Sequence, residues 1–180
     1  PHLVKAGWPA IRFVFPHAPV QPVTINGGMR MRAWYDILGL EIANRQDERG
    51  VRASVELLYG LIADEAERGI PESRIFLVGF SQGGAIALAT AVRFRALAGV
   101  AALSTYLPLA DRTEAEMTAE SRKTPVFMGH GSMDPTVPHA LGQMSRGVLE
   151  KAGYAVEWHS YVMPHSVSDA EIADLSAWMA

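Results

Sequence analysis

The chain has 180 residues, a formal net charge of −3 and no cysteine. Its length suits one domain with a substantial core, and a hydrophobic fraction of 49% with 19% charged residues is typical of globular proteins. The lack of cysteine excludes disulfides, a cysteine nucleophile and thiolate metal sites, and the scattered basic residues argue against a nucleic-acid partner.

No stretch of the chain has the pattern of a membrane segment or an export signal. The longest mainly apolar run, residues 85–92, is far shorter than the roughly 20 residues that cross a bilayer. The first residues lack the charged start, apolar centre and cleavage site of a signal peptide. We therefore expect a cytoplasmic protein.

The first third of the chain predicts a strand, a long loop and a helix. The apolar run 11–15 ends at Pro16 and predicts a buried strand. Residues 16–28 hold three prolines and a Gly-Gly pair, which is typical of a shaped loop. Apolar residues at helical spacing then predict a helix over residues 51–68, which Gly69 ends.

Strands and helices alternate in the rest of the chain. Strands are predicted at residues 74–80, 99–105, 125–131 and 155–162. Helices are predicted at residues 83–94 and 136–152 and from Ser168 onward, where Ser168 and Glu171 form a capping box. This alternation predicts one α/β domain over residues 1–180, with a mainly parallel sheet and helices on both faces.

Residues 79–83 read Gly-Phe-Ser-Gln-Gly, a G-x-S-x-G sequence between a predicted strand and a predicted helix. A serine on so sharp a turn is exposed as a nucleophile, and glycine at positions 79 and 83 avoids collisions across the turn. The start of the helix also directs the backbone N–H of Gln82 at the reacting carbonyl, as an oxyanion donor. Ser81 is the predicted nucleophile; the alternative is a serine that only caps the helix.

A serine nucleophile needs a base and an acid, and in this kind of fold they follow it as Asp or Glu, then His. Asp134 follows the predicted strand 125–131, at the sheet edge where such sites lie, although it could instead cap the next helix. His165 stands in the loop before the last helix, where the base belongs. The other five histidines fit worse and are too dispersed for a zinc site. We predict the triad Ser81, Asp134 and His165, with no metal and no cofactor.

These motifs belong to a set of six segments: FVFPHAPVQPVTINGG, MRAWYDI, SRIFLVGFSQGGA, ALSTYLP, HGSMD and EIADLSAWM. Together the segments resemble the carboxylesterase/phospholipase family of small α/β-hydrolases, which includes bacterial carboxylesterases and acyl-protein thioesterases. The combination of TINGG and WYDI is most similar to the bacterial carboxylesterase branch. The resemblance implies the α/β-hydrolase fold.

The resemblance also implies roles outside the triad. Trp34 would line the acyl site, unless it is a core aromatic, and Tyr106 and Leu107 would be pocket residues. A homodimer is a candidate assembly. The family's strand before its oxyanion loop has no counterpart in residues 1–180. It would lie between the strands predicted at residues 11–15 and 74–80, where an open gap would leave backbone groups unsatisfied. Either the sequence is a fragment of a longer enzyme, or the two strands pair directly, or another chain supplies the missing edge. We expect direct pairing if the 180 residues are the whole protein.

The predicted function is hydrolysis of short- to medium-chain carboxylic esters through an acyl-enzyme on Ser81. One alternative is an acyl thioesterase or lysophospholipase that uses the same triad. The other is a weakly active or non-catalytic hydrolase-like binding protein.

Overall fold

A short antiparallel hairpin opens the folded part of the computed structural model, which describes residues 2–39 and 46–180. Its strands are β1 (Val20–Val23) and β2 (Met29–Arg32), joined by a 3-10 turn. The prediction of a loop over residues 16–28 is wrong for residues 20–23, which form β1. Gly27 and Gly28 take positive φ angles of 66° and 79°, which lets the chain reverse and pair instead of running on as a loop.

The main sheet has four parallel strands in the order β3-β4-β5-β6. These strands are β3 (Phe76–Phe80), β4 (Gly99–Leu103), β5 (Val126–Gly131) and β6 (Val156–Tyr161). The helices are α1 (Glu48–Glu67), α2 (Gln82–Arg93), α3 (Thr113–Glu116), α4 (His139–Lys151) and α5 (Asp169–Trp178). The predicted alternation and the parallel sheet are confirmed.

The two central strands are buried along their whole length, as expected for parallel strands covered on both faces. Their side chains alternate between two core clusters. Val100 and Met128 belong to the cluster that includes residues of α1, α2 and α4. Ala101 and Phe127 belong to the cluster with Leu175 of α5. The sheet therefore carries helices on both faces, and its carboxyl edge is where β3 and β5 deliver the candidate site.

Two details of the predicted helices differ from the structure. Apolar spacing within the predicted helix 136–152 places Met144 on its inward side, but Met144 is 66% exposed, because Gly142, Ser145 and Leu149 form the buried face of α4. The capping box at the start of α5 is only half formed. Ser168 accepts a hydrogen bond of 3.2 Å from the Glu171 N–H, whereas the Glu171 side chain is fully buried.

Residues 11–15 do not form the predicted buried strand. Phe15 is 83% exposed and Phe13 48%, and the segment makes no backbone hydrogen bond to β3 within the described residues. Arg12 instead pairs with Glu65 of α1 at 3.0 Å. Direct pairing with β3 was also a wrong prediction. A cavity of about 1310 Å³ is lined by both segments.

Candidate active site

Ser81 lies on the turn between β3 and α2 with φ 53° and ψ −124°. Residues other than glycine seldom adopt such angles, which cost about 1–3 kcal/mol. A Cβ at Gly79 would lie 2.3 Å from the carbonyl carbon of Gly83, and one at Gly84 would lie 2.7 Å from the Gly79 oxygen. A Cβ at Gly83 would meet only the Trp34 indole nitrogen, at 3.9 Å. The predicted need for glycine at 83 is therefore wrong, and Gly84 has that role.

The structure brings Ser81, His165 and Asp134 into one hydrogen-bonded chain. The Ser81 Oγ lies 2.9 Å from Nε2 of His165, and Nδ1 of the same ring lies 2.6 Å from Oδ2 of Asp134. In this arrangement Nδ1–H can donate to the carboxylate while Nε2 accepts the serine proton. The geometry is the one that nucleophilic catalysis by serine requires.

Asp134 does not cap α4, whose N-cap is Pro138, but it fixes the turn that precedes this helix. Its side chain is fully buried, and Oδ1 accepts hydrogen bonds from the N–H groups of Thr136 (2.8 Å) and Val137 (2.9 Å). Burial by itself raises the pKa of this carboxyl. The hydrogen bonds from His165, Val137 and Thr136 outweigh that effect and hold the pKa below its usual value. Asp134 is therefore ionised, and one oxygen fixes its own turn while the other faces His165.

Three contacts fix the loop that carries His165. The imidazole packs on the ring of Phe80 with centroids 4.7 Å apart. The Met133 N–H donates to the Met163 carbonyl at 3.2 Å, and a Cβ at Gly131 would lie 2.4 Å from the Pro164 oxygen. The His165 side chain keeps 17% exposure, so the base is held in place yet open to a substrate.

Gln82 is the first residue of α2, and the N–H groups of a first helical turn have no partner within the helix. Its backbone N–H is therefore available as the predicted oxyanion donor. The side chain has a role that sequence analysis missed: it accepts a hydrogen bond from the Trp34 N–H (2.7 Å) and donates one to the Tyr35 carbonyl (2.8 Å). Local sequence carries no signal for these contacts, because the partners are 47 and 48 residues away.

The three predicted pocket residues lie in different surroundings. Trp34 is half-buried and lines the large cavity together with Phe80 and Gly83. Tyr106 is buried and shares a 2.8 Å hydrogen bond with the hydroxyl of Tyr35. Leu107 is buried in the main core cluster and does not line the cavity. The pocket roles stay predictions, and the placement of Leu107 favours a core role.

Among the residues that the structure describes, no group of three or more His, Asp or Glu side chains is arranged to hold a metal ion. In the same part of the chain no helix is both long enough and apolar enough to span a membrane.

Comparison with known proteins gives consistent matches. The family model described as phospholipase/carboxylesterase matches residues 2–180. An acyl-protein thioesterase 1 from Cryptococcus neoformans is 39% identical over 98% of this chain and 82% of its own length. A probable carboxylesterase from Oryza sativa is 37% identical over 93% of this chain and 65% of its own. A crystal structure of Arabidopsis thaliana SOBER1 superposes with a TM-score of 0.88 at 32% identity, covering 92% of this chain and 81% of that one.

These matches confirm the predicted α/β-hydrolase fold. The relatives are fungal and plant proteins, so they support the family without singling out the bacterial carboxylesterase branch that the sequence motifs suggested.

Proposed function

Because the chain belongs to the phospholipase/carboxylesterase family and is a serine hydrolase of esters or thioesters, we propose that it hydrolyses acyl thioesters through an acyl-enzyme on Ser81. The observation that carries this proposal is the hydrogen-bonded chain from Ser81 through His165 to Asp134. The distance of 2.9 Å between the Ser81 Oγ and Nε2 of His165 suits proton transfer from the serine to the imidazole. The distance of 2.6 Å between Nδ1 of His165 and Oδ2 of Asp134 is that of a hydrogen bond that orients the ring.

Each group has a defined part in the proposed mechanism. Nε2 of His165 takes the proton of Ser81 as its Oγ attacks the acyl carbonyl, and the backbone N–H of Gln82 stabilises the oxyanion. Asp134 keeps the imidazole in the productive tautomer and stabilises its positive charge. The protonated His165 then delivers the proton to the leaving thiolate or alkoxide, and later activates the water that releases the acid.

The choice of a thioester over an ester rests on the relatives. The Cryptococcus neoformans relative is named an acyl-protein thioesterase, and it is also the more similar of the two sequence relatives described above. The rice relative, named a probable carboxylesterase, supports hydrolysis of short- to medium-chain carboxylic esters as the second candidate. The same triad serves both reactions, because only the leaving group differs.

A matched substrate pair tests the proposal. We expect kcat/KM for an octanoyl thioester to equal or exceed that for p-nitrophenyl octanoate, since the acyl group is identical. An ester preference of more than about tenfold, or 1.4 kcal/mol, would favour the second candidate. Activity on neither substrate would contradict both.

A fluorophosphonate probe identifies the nucleophile independently of the natural substrate. The probe should label the protein, and Ser81→Ala should abolish both labelling and turnover, on the scale of the roughly 10⁶-fold loss known for a triad serine. Ser132→Ala is the matched control, because Ser132 is exposed on the loop after β5. Labelling that survives in Ser81→Ala would refute the assignment of Ser81.

A further inference from the structure

His130 lies near the end of β5, four residues before Asp134, and both side chains are closed to solvent. Its ring has one available orientation. It stacks on Trp158 with centroids 6.1 Å apart and meets the His139 ring edge-on at 5.6 Å. A Cβ at Gly142 would lie 2.5 Å from its Nδ1, so only glycine fits against it. A ring packed so closely has a fixed hydrogen-bonding direction.

The Nε2 atom of this ring faces two oxygens. It lies 3.0 Å from the Val137 carbonyl and 3.6 Å from Oδ2 of Asp134. Both oxygens only accept hydrogen bonds, so Nε2 must carry the hydrogen and donate it to Val137.

The electrostatic surroundings keep this imidazole neutral. The titratable groups around it are Asp134, His139 and His165. Burial lowers the pKa of His130, and the Val137 bond and the Asp134 charge only partly oppose that effect. Nε2–H is therefore a neutral donor beside an ionised carboxylate.

We infer that His130 is a positioning residue for Asp134 in the triad, an inference that rests on the proposed function. Its Nε2–H holds the carbonyl of Val137, while the N–H of the same residue holds Oδ1 of Asp134. The turn is thereby fixed from both sides, and Oδ2 is directed at Nδ1 of His165. The Nε2–H of His130 also places a partial positive charge near Oδ2, which makes the carboxylate less basic.

Loss of this N–H has one kinetic consequence. The turn loosens, so Asp134 orients His165 less well and kcat falls. KM changes little, because His130 does not line the cavity.

Two substitutions that both introduce an amide, on side chains of different length, test the inference. The amide nitrogen of glutamine reaches about as far as Nε2 of histidine, whereas that of asparagine reaches only as far as Nδ1. We expect His130→Asn to lower kcat about 10- to 100-fold, which is the range typical of losing a residue that hydrogen-bonds to a metal-binding side chain and orients it. KM should stay within about twofold. His130→Gln should keep most of the activity. His139→Asn is the control, because that ring packs on His130 from the partly exposed start of α4.

A purely structural role has a different signature. Equal losses of kcat in His130→Asn and His130→Gln, accompanied by lowered melting temperatures, would overturn the inference. So would an unchanged kcat in His130→Asn. Ser81→Ala distinguishes failure of the proposed function from failure of the positioning role. Turnover that survives in Ser81→Ala refutes the proposed function. An inactive Ser81→Ala together with an unaffected His130→Asn refutes only the positioning role.

Discussion

The carboxamide oxygen of Gln82 accepts a hydrogen bond of 2.7 Å from the backbone N–H of Trp34. The amide nitrogen of the same side chain donates to the carbonyl of Tyr35, and the Ser54 hydroxyl donates to the carbonyl of Trp34. Gln82 therefore holds the backbone of Trp34, whose indole lies beside Gly83 in the cavity wall. The predicted oxyanion donor and the predicted acyl-site residue are thus connected through one side chain.

Gln82→Met separates these two roles, because it removes both side-chain hydrogen bonds and keeps the backbone N–H. We expect kcat/KM for octanoyl substrates to fall about 5- to 50-fold, the equivalent of roughly 1–2 kcal/mol for the unpaired groups, while acetyl substrates lose less. Trp34→Ala should show the same dependence on chain length. Gln143→Met, exposed on α4, is the control. Equal losses at every chain length with a lower melting temperature would make Trp34 a core residue.

Asp134→Asn should leave the fold intact and lower kcat by about 10⁴, because an amide lets the imidazole take the wrong tautomer. Steady-state kinetics on the octanoyl thioester measure the loss. Asp169→Asn is the comparison, since Asp169 is the exposed first residue of α5 and the next candidate for the acid. A nearly normal Asp134→Asn together with a strongly impaired Asp169→Asn would move the acid to position 169.

The sequence predicted what local rules determine. The G-x-S-x-G turn and the order Ser, Asp, His point to Ser81, Asp134 and His165, because loops that follow parallel strands meet at one edge of the sheet. The sequence-based predictions failed where partners that are distant in the chain decide the local structure. The apolar run 11–15 indicates a strand, but a strand needs a hydrogen-bonded neighbour, and these residues make no backbone hydrogen bond to β3 within the described part of the chain. Arg12 pairs with Glu65 of α1. The contact of Gln82 with Trp34 and the burial of Leu107 depend on packing that no local pattern encodes.

Glu171 is fully buried, and neither of its carboxylate oxygens has a hydrogen-bond partner within the described part of the chain. Burial raises its pKa to about 7 from an ordinary 4.5, against smaller opposing effects of Ser168 and His159. The folded state then holds the proton more tightly than the unfolded state. This group's contribution to stability is complete below about pH 4.5 and is lost as the pH rises through 7.

Glu171→Gln removes this titration. We expect the unfolding free energy of the variant, relative to wild type, to increase by roughly 2–3 kcal/mol between pH 5 and pH 8. The melting temperature of the variant should rise relative to wild type over the same range. The sign of the slope is the test, because a buried amide without partners can lower stability equally at every pH. A constant difference across this pH range would show that Glu171 does not titrate there.

Apolar side chains of residues 11–15 and of β3 are exposed in the large cavity. Phe15 is 83% exposed and its ring stacks on Phe13 at 6.0 Å, while Val78 on the edge strand β3 is 46% exposed. An apolar surface of this kind should bind an apolar dye without unfolding. We expect the native protein to enhance the fluorescence of anilinonaphthalene sulfonate while its near-ultraviolet circular dichroism is unchanged.

Phe15→Ser should weaken binding of this dye about 3- to 10-fold, which corresponds to losing on the order of 1 kcal/mol of apolar contact. Val162→Ser is the matched control, because Val162 is 87% exposed and does not line the cavity. Both positions are too exposed for either change to disturb the core, so melting temperatures should match wild type. Equal weakening in the two variants would indicate dye binding spread over the surface, and no fluorescence enhancement would show that the cavity is closed in solution. Selective weakening by Phe15→Ser would assign the dye to the cavity between β3 and residues 11–15.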